Sequence, residues 1–217
     1  LKRMLDQREL PKALKAAQDL LKNCLDAGMD AYPMAKYDTA MAYLVLGRTL
    51  RALGEAEEAL ETLKKSQIRF QTLADGGNTD AKKMVPVCMT EIGDGLRILG
   101  QLLLATRSYE AAVKRFEELG DLRSTATAKE RLGTMFMYQN RYKDAMSLYE
   151  QARDIFEKLR DPSSVAGVWH NIGIVYRRIE QYQKAEETYK KALEMHVQQG
   201  NQSGEANALN ELGNLYN

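Results

Sequence analysis

Residues able to carry out chemistry are few in this sequence, and they are not grouped. The two histidines, His170 and His196, have no cysteine or carboxylate around them at metal-site spacing. The glycines of Gly93-Asp94-Gly95 lack the Lys-Ser/Thr signature of a phosphate loop, and no strand precedes them. Serines are scattered, without the strand–turn–helix context of a nucleophile elbow. We therefore predict no enzymatic activity, no cofactor and no metal, and we interpret both histidines as structural or surface residues.

Cysteine usage and charge limit the class of protein further. Cys24 and Cys88 are isolated, so we predict free, buried or partly buried thiols in a reducing compartment. The 217 residues include 31 basic and 30 acidic ones, a balance that gives no reason to expect nucleic acid or a membrane surface as a direct partner. The longest apolar run, near 96–105, is too short to span a bilayer. We expect a cytoplasmic protein.

The elements that position these residues are organised as a repeat. Gly133, Gly173 and Gly213 recur every 40 residues, each directly after a Leu or an Ile. We assign Gly47 and Gly100 to the same series, although their steps are 53 and 33 residues. A fixed period in this range indicates a stacked array of supersecondary units.

Each repeat reads as two helices. Apolar residues four and one before the glycine, the glycine itself, and the residue three after it lie on one stripe of a helix. A second helix follows, with a small residue twelve after the glycine that indicates a close helix crossing. Breaks of two or three residues then favour antiparallel pairs. The 53-residue step indicates an insertion of about 13 residues, which we place near 75–86 as a longer loop or an added turn.

The pattern resembles the tetratricopeptide repeat. The clearest copy matches at Trp169, Ile172, Gly173, Tyr176, Tyr182, Ala185, Tyr189 and Ala192. Its long, 40-residue form is similar to kinesin light chain, LGN-type adaptors and bacterial signalling and regulator arrays. The resemblance implies an all-α, right-handed α-solenoid of antiparallel helix pairs.

We expect residues 1–217 to form a single array of about four complete helix pairs with partial units at both ends. Residues 1 to about 7 would supply the first helix of the initial partial unit, or that helix would lie upstream. The chain does not begin with Met and stops within a repeat. We therefore expect a fragment of a larger protein, whose cut ends would allow self-association.

The resemblance also implies a binding surface. Positions six and three before, and one, four and five after, each glycine form a second stripe, which lines the concave groove in this family. The candidate partner-binding residues from this stripe are Arg48, Arg51, Arg97, Gln101, Glu130, Thr134, His170, Arg177, Arg178, Asn207, Asn210 and Asn214. The stripe holds five arginines against two acids, Asp94 and Glu130.

Arginine pairs with carboxylates in a bidentate way, and asparagine offers a peptide backbone both donor and acceptor. We predict that the groove binds an extended or helical protein segment of acidic character. The alternative is that these residues form ordinary solvated helix faces.

Two functions fit an array without a reaction centre. The first is a scaffold that holds a partner protein or peptide. The second is a ligand or peptide sensor that controls an attached ATPase, protease or DNA-binding domain, because small shifts between repeats add up.

Overall fold

The computed structural model describes residues 9–216, and all regular structure within them is α-helical. The helices are α1 (Leu10–Ala27), α2 (Ala35–Leu53), α3 (Ala56–Asp75), α4 (Thr79–Ile98), α5 (Leu102–Glu118), α6 (Leu122–Tyr138), α7 (Tyr142–Lys158), α8 (Pro162–Arg178), α9 (Tyr182–Gln198) and α10 (Gln202–Tyr216). The predicted all-α helical-repeat class is confirmed. The initial helix predicted for residues 1–7 lies outside the described residues.

The chain forms two compact units, an N-terminal unit of residues 1–115 and a C-terminal unit of residues 116–217. Within the N-terminal unit α2 packs on α3, α3 on α4, and α2 also touches α4. Within the C-terminal unit consecutive helices pack in pairs, and α8 also touches both α6 and α10. First helices of successive repeats are therefore neighbours inside each unit.

Short turns with a 20-residue period end the helices from α4 to α9. The central residue of each turn has a left-handed backbone, at Gly100, Gly120, Asn140, Arg160, Glu180 and Gly200. The residue after it donates its N–H to a carbonyl in the last helical turn, as Arg141 does to Phe136 at 2.8 Å. This turn satisfies end carbonyls and reverses the chain in three residues.

The assignment of Gly100 as a repeat glycine is wrong. Gly100 is one of these turn residues, with φ of 72°, and the equivalent glycine is Gly93 in α4. A Cβ on Gly93 would lie 2.7 Å from Tyr109, as one on Gly173 would lie 2.4 Å from Tyr189. Gly93, Gly133 and Gly173 are thus points where a tyrosine ring of the second helix crosses the first, and at Gly47 the crossing side chain is Leu63.

The 53-residue step and the insertion of about 13 residues near 75–86, both counted from Gly100, are therefore also wrong. The steps are 46 residues from 47 to 93, and 40 thereafter. Compared with later repeats, the six additional residues lengthen the end of α3 and the start of α4 by three each, with a three-residue turn between them. The structure places Pro86 inside α4 and leaves Leu103, expected in the buried stripe, 63% exposed. The register error arises because seven residues are close to two helical turns, so the apolar pattern nearly repeats between Gly93 and Gly100.

Side-chain caps fix where the first helices begin. The carboxylates of Asp121 and Asp161 accept the N–H groups of Ser124 and Ser164, at 3.1 and 3.2 Å. Asn201 caps α10 in the same way. These caps keep the first helices of the C-terminal unit in a common register, which aligns their outward stripes.

Candidate partner-binding site

Two predicted arginines of the N-terminal unit, Arg48 and Arg51, are already engaged by carboxylates of the chain. Arg48 Nε donates to one oxygen of Glu91 at 2.8 Å, and an Arg51 terminal nitrogen donates to the other at 2.7 Å. Arg51 also lies 3.4 Å from Asp94, whose second oxygen accepts the Tyr109 hydroxyl at 2.5 Å. Both carboxylates are buried. This cluster joins α2 to α4 and leaves little positive charge for a ligand.

Glu91 stands two residues before Gly93, a position outside the predicted stripe in either register, so it was not selected from the sequence. The register error did bring in Gln101, which lies in the turn after α4 and not on a first helix. Arg97 remains on the stripe and is partly buried. The 40-residue spacing of Tyr109, Tyr149 and Tyr189 was the signal that could have fixed the register.

The C-terminal unit brings the remaining candidates onto one surface, which we call the groove stripe. It consists of Glu130 and Thr134 on α6, His170, Arg177 and Arg178 on α8, and Asn207, Asn210 and Asn214 on α10. Because α8 contacts both α6 and α10, these residues form neighbouring rows. Arg178 and the three asparagines are exposed, whereas the other four are partly buried.

Glu130 is the most perturbed ionisable group of the groove stripe. Its Oε1 accepts one hydrogen bond, from Asn171 Nδ2 at 2.8 Å, and no ion pair to Glu130 is formed among residues 9–216. Burial raises the pKa of Glu130 to about 7, against the charge of Arg131 and the Asn171 hydrogen bond, which lower it. A carboxyl with a single neutral donor is an incompletely satisfied acceptor.

On the opposite side of the stripe, α8 meets α10 through polar contacts. Arg177 Nε lies 3.5 Å from Glu211, and the Tyr189 hydroxyl lies 3.5 Å from the same carboxylate oxygen. The His170 ring packs 5.6 Å from that of Tyr189, and burial lowers the His170 pKa. Glu211, like Glu91, stands two residues before a repeat glycine and was not selected from sequence.

The second histidine and the two cysteines are buried or partly buried in the fold. His196 is buried against Gly204 and lies 3.2 Å from the amide of Asn201. Cys88 is buried and Cys24 partly buried, and both are free thiols, as predicted. Among the described residues no group of three His, Cys, Asp or Glu could hold a metal ion. No helix of residues 9–216 is long and apolar enough to cross a membrane.

A depression of about 690 Å³, separate from the groove stripe, lies at the turn edge of the C-terminal unit. Its apolar wall comes from Tyr142 and Met146 of α7 with Tyr176 and Ile179 near the end of α8. The sequence analysis did not single it out, since Tyr142 and Met146 lie on the second helix and Tyr176 was assigned to the buried stripe of the first.

Comparisons with known proteins identify the class. A family model described as tetratricopeptide repeat matches residues 4–74, and one described as soluble NSF attachment protein, SNAP, matches residues 99–201. No curated protein sequence matches the chain significantly.

Solved structures share the fold at low sequence identity. BtubC (BKLC) from P. vanneervenii is 16% identical, with a TM-score of 0.73 over 95% of this chain and 91% of that one. A Podosopora anserina putative kinesin light chain with nearly identical TPR-like repeats is 16% identical, with a TM-score of 0.71 over 92% of both chains. Aspartyl phosphate phosphatase F from Bacillus subtilis is 13% identical, with a TM-score of 0.72 over 92% of this chain and 52% of that one.

The helix pairs, the close crossings at the repeat glycines and these matches define an α-helical repeat protein. Residues 4–74 match the tetratricopeptide repeat family, and the chain has a tetratricopeptide-like helical-repeat fold.

Proposed function

We propose that this chain is an interaction scaffold that binds a segment of a partner protein across the groove stripe of α6, α8 and α10. The observation that supports this most is the exposed row of Asn207, Asn210 and Asn214 on α10, together with the exposed Arg178 on the neighbouring α8. Side-chain amides can both donate to and accept from the backbone of an extended segment. Asparagine is a poor helix former, so three on one exposed helix are better explained by a ligand than by helix stability.

The preference for acidic partners is narrower in this proposal than the sequence alone indicated. Arg48 and Arg51 are paired with Glu91 and Asp94, and Arg177 shares Glu211 with Tyr189. Arg178 is exposed and makes no ion pair within the described part of the chain. We assign to Arg178 the contact with an acidic side chain of the partner.

Selection of random dodecapeptides displayed on phage tests the proposal. Bound peptides should protect α6, α8 and α10 from hydrogen exchange, and Arg178→Glu should weaken them about tenfold through the lost charge-assisted hydrogen bonds. Lys158→Glu, an exposed cation at the end of α7, is the matched control and should have no effect. Failure of the native chain to select any peptide, or protection confined to other helices, would refute the proposal.

A sensing role is the second candidate, favoured by one observation. The chain aligns with only 53% of RapI and 52% of phosphatase F, so in those proteins a similar fold is part of a longer chain. A sensor should change its radius of gyration in small-angle scattering when a selected peptide is added, whereas a passive scaffold should not. We also propose a cytoplasmic location, on the two free thiols, and no direct contact with nucleic acid or membrane, on the near-neutral charge.

A further inference from the structure

Glu130 is a partly buried acid on the groove stripe that forms no ion pair among residues 9–216. Its carboxyl lies on the groove stripe, is partly buried, and has Asn171 as its hydrogen-bond donor. Burying a carboxylate without a cationic partner is costly. The Arg177–Glu211 contact in the same unit shows that the fold can supply a cation to an acid of this surface.

The groove is open above this carboxyl because α8 carries glycine there. Gly167 is an interior residue of α8, where glycine is less favourable than alanine. Only Glu130 Oε1, at 4.0 Å, comes near the position that a Cβ would occupy. Unlike Gly173 of the same helix, Gly167 is therefore not required by a crossing helix, and its effect is to leave space beside Glu130.

Among residues 9–216, the groups around this space are mostly neutral. Arg131 is next to Glu130 on α6, and its charge opposes the rise in the Glu130 pKa. On α7, the Tyr149 hydroxyl bonds to Thr134 at 3.0 Å. The side chains from α8 are the neutral Asn171 and His170, whose pKa is lowered by burial. An incoming cation would find an acceptor that the protein has left partly satisfied.

The opposite charge lies farther along the same surface. His170 is the α8 equivalent of Glu130, 40 residues on, and Arg178 follows it by eight residues, about 12 Å along the helix axis. The groove stripe is thus negative toward one end of its helices and positive toward the other. Such an arrangement distinguishes the two directions of a bound segment.

We infer that Glu130 receives a lysine or arginine side chain of the bound segment in the space left by Gly167, while Arg178 receives a carboxylate, so that the segment binds in one direction. This inference rests on the proposed function, and it replaces a simply acidic ligand by one that carries both charges in a fixed order.

The test uses N-acetyl-arginine amide and its neutral isostere N-acetyl-citrulline amide as probes. Carboxyl carbon signals of labelled glutamates are followed by NMR, with the Glu130 signal assigned from its loss in Glu130→Gln. The arginine probe should shift the Glu130 signal saturably and lower its pKa, and the citrulline probe should do neither. Gly167→Leu should block the response while the carboxyl remains, and Glu187→Gln, an exposed acid of α9, should preserve it. Equal responses to both probes, or no response of Glu130, overturn the inference.

Selected peptides give a second reading that separates this inference from the proposed function. Replacing the basic residue of a bound peptide by citrulline should weaken it about tenfold on the native chain and leave its affinity for Glu130→Gln unchanged. Peptides that bind the groove with no such dependence refute the inference alone. Absence of any peptide refutes the proposed function, and the NMR probes still decide the role of Glu130.

Discussion

Replacing Gly173 by alanine should destabilise the C-terminal unit, whereas the same replacement at Gly167, six residues earlier in the same helix, should stabilise it. A Cβ on Gly173 would lie 2.4 Å from Tyr189 Cε1 and 3.0 Å from Thr188 Oγ1. Tyr189 is fully buried, so its ring has no free space into which to move. At Gly167 the added methyl meets open groove.

Both replacements bring the same gain in helix propensity. The difference between their effects on the free energy of unfolding is therefore the cost of a methyl group at the close crossing. That gain is about 0.5–1 kcal/mol, and it is the whole expected effect at Gly167. At Gly173 it is opposed by overpacking of about 1–3 kcal/mol. We expect a net loss of about 1–2 kcal/mol for Gly173→Ala, which for a chain of this size lowers the melting temperature by roughly 2–8 °C.

Urea unfolding followed by circular dichroism measures both effects, and a double-mutant cycle with Tyr189→Ala tests the cause. Once the ring is removed, the penalty of Gly173→Ala should disappear, because the contact responsible for it is gone. A penalty that persists in the Tyr189→Ala background, or equal effects of the two glycine replacements, would refute the assignment of the repeat glycine as the crossing point.

Three further outcomes are expected. Because burial raises the pKa of Glu130 to about 7 from 4.5, the folded state holds its proton more tightly than the unfolded chain does. The resulting stabilisation is complete below about pH 4.5 and is lost as pH rises through 7, so urea unfolding should show a fall on the order of 1–3 kcal/mol that Glu130→Gln removes. Glu91→Gln, which breaks the buried contact with two arginines, should cost about 2–4 kcal/mol in the same assay, whereas Glu61→Gln at an exposed pair should leave stability unchanged. Cys88 is buried, with its pKa raised to about 11 by burial, so mass spectrometry after brief iodoacetamide treatment of the native protein should find Cys24 alkylated and Cys88 intact.

The helical-repeat architecture could be predicted because it rests on local patterns. Gly133 and Gly173 stand in the same register with respect to their apolar neighbours, and the small residues of the second helices repeat with them. Helix pairs follow from such a pattern almost irrespective of what surrounds them. The fold class therefore needed only the sequence of two well-preserved repeats.

The register of the second repeat could not be read in the same way. Gly93 and Gly100 both follow large apolar residues on the same side of a helix, and the pattern alone does not say which one ends the helix. The structure separates them by backbone conformation and by the ring of Tyr109. Ion pairing was equally inaccessible, since the Arg48–Glu91 bond joins residues 43 positions apart on different helices.

The tyrosines that pack against the repeat glycines connect the groove stripe to the second helices. Tyr149 and Tyr189 begin on the second helix, pass under the glycine, and end with a hydroxyl against Thr134 or Glu211. A bound segment that contacts those polar groups thus also contacts the tyrosine side chains that pack between the two helices of each pair. Binding of a segment to the first helices would therefore reduce the motion of α7 and α9, although the segment does not contact these helices.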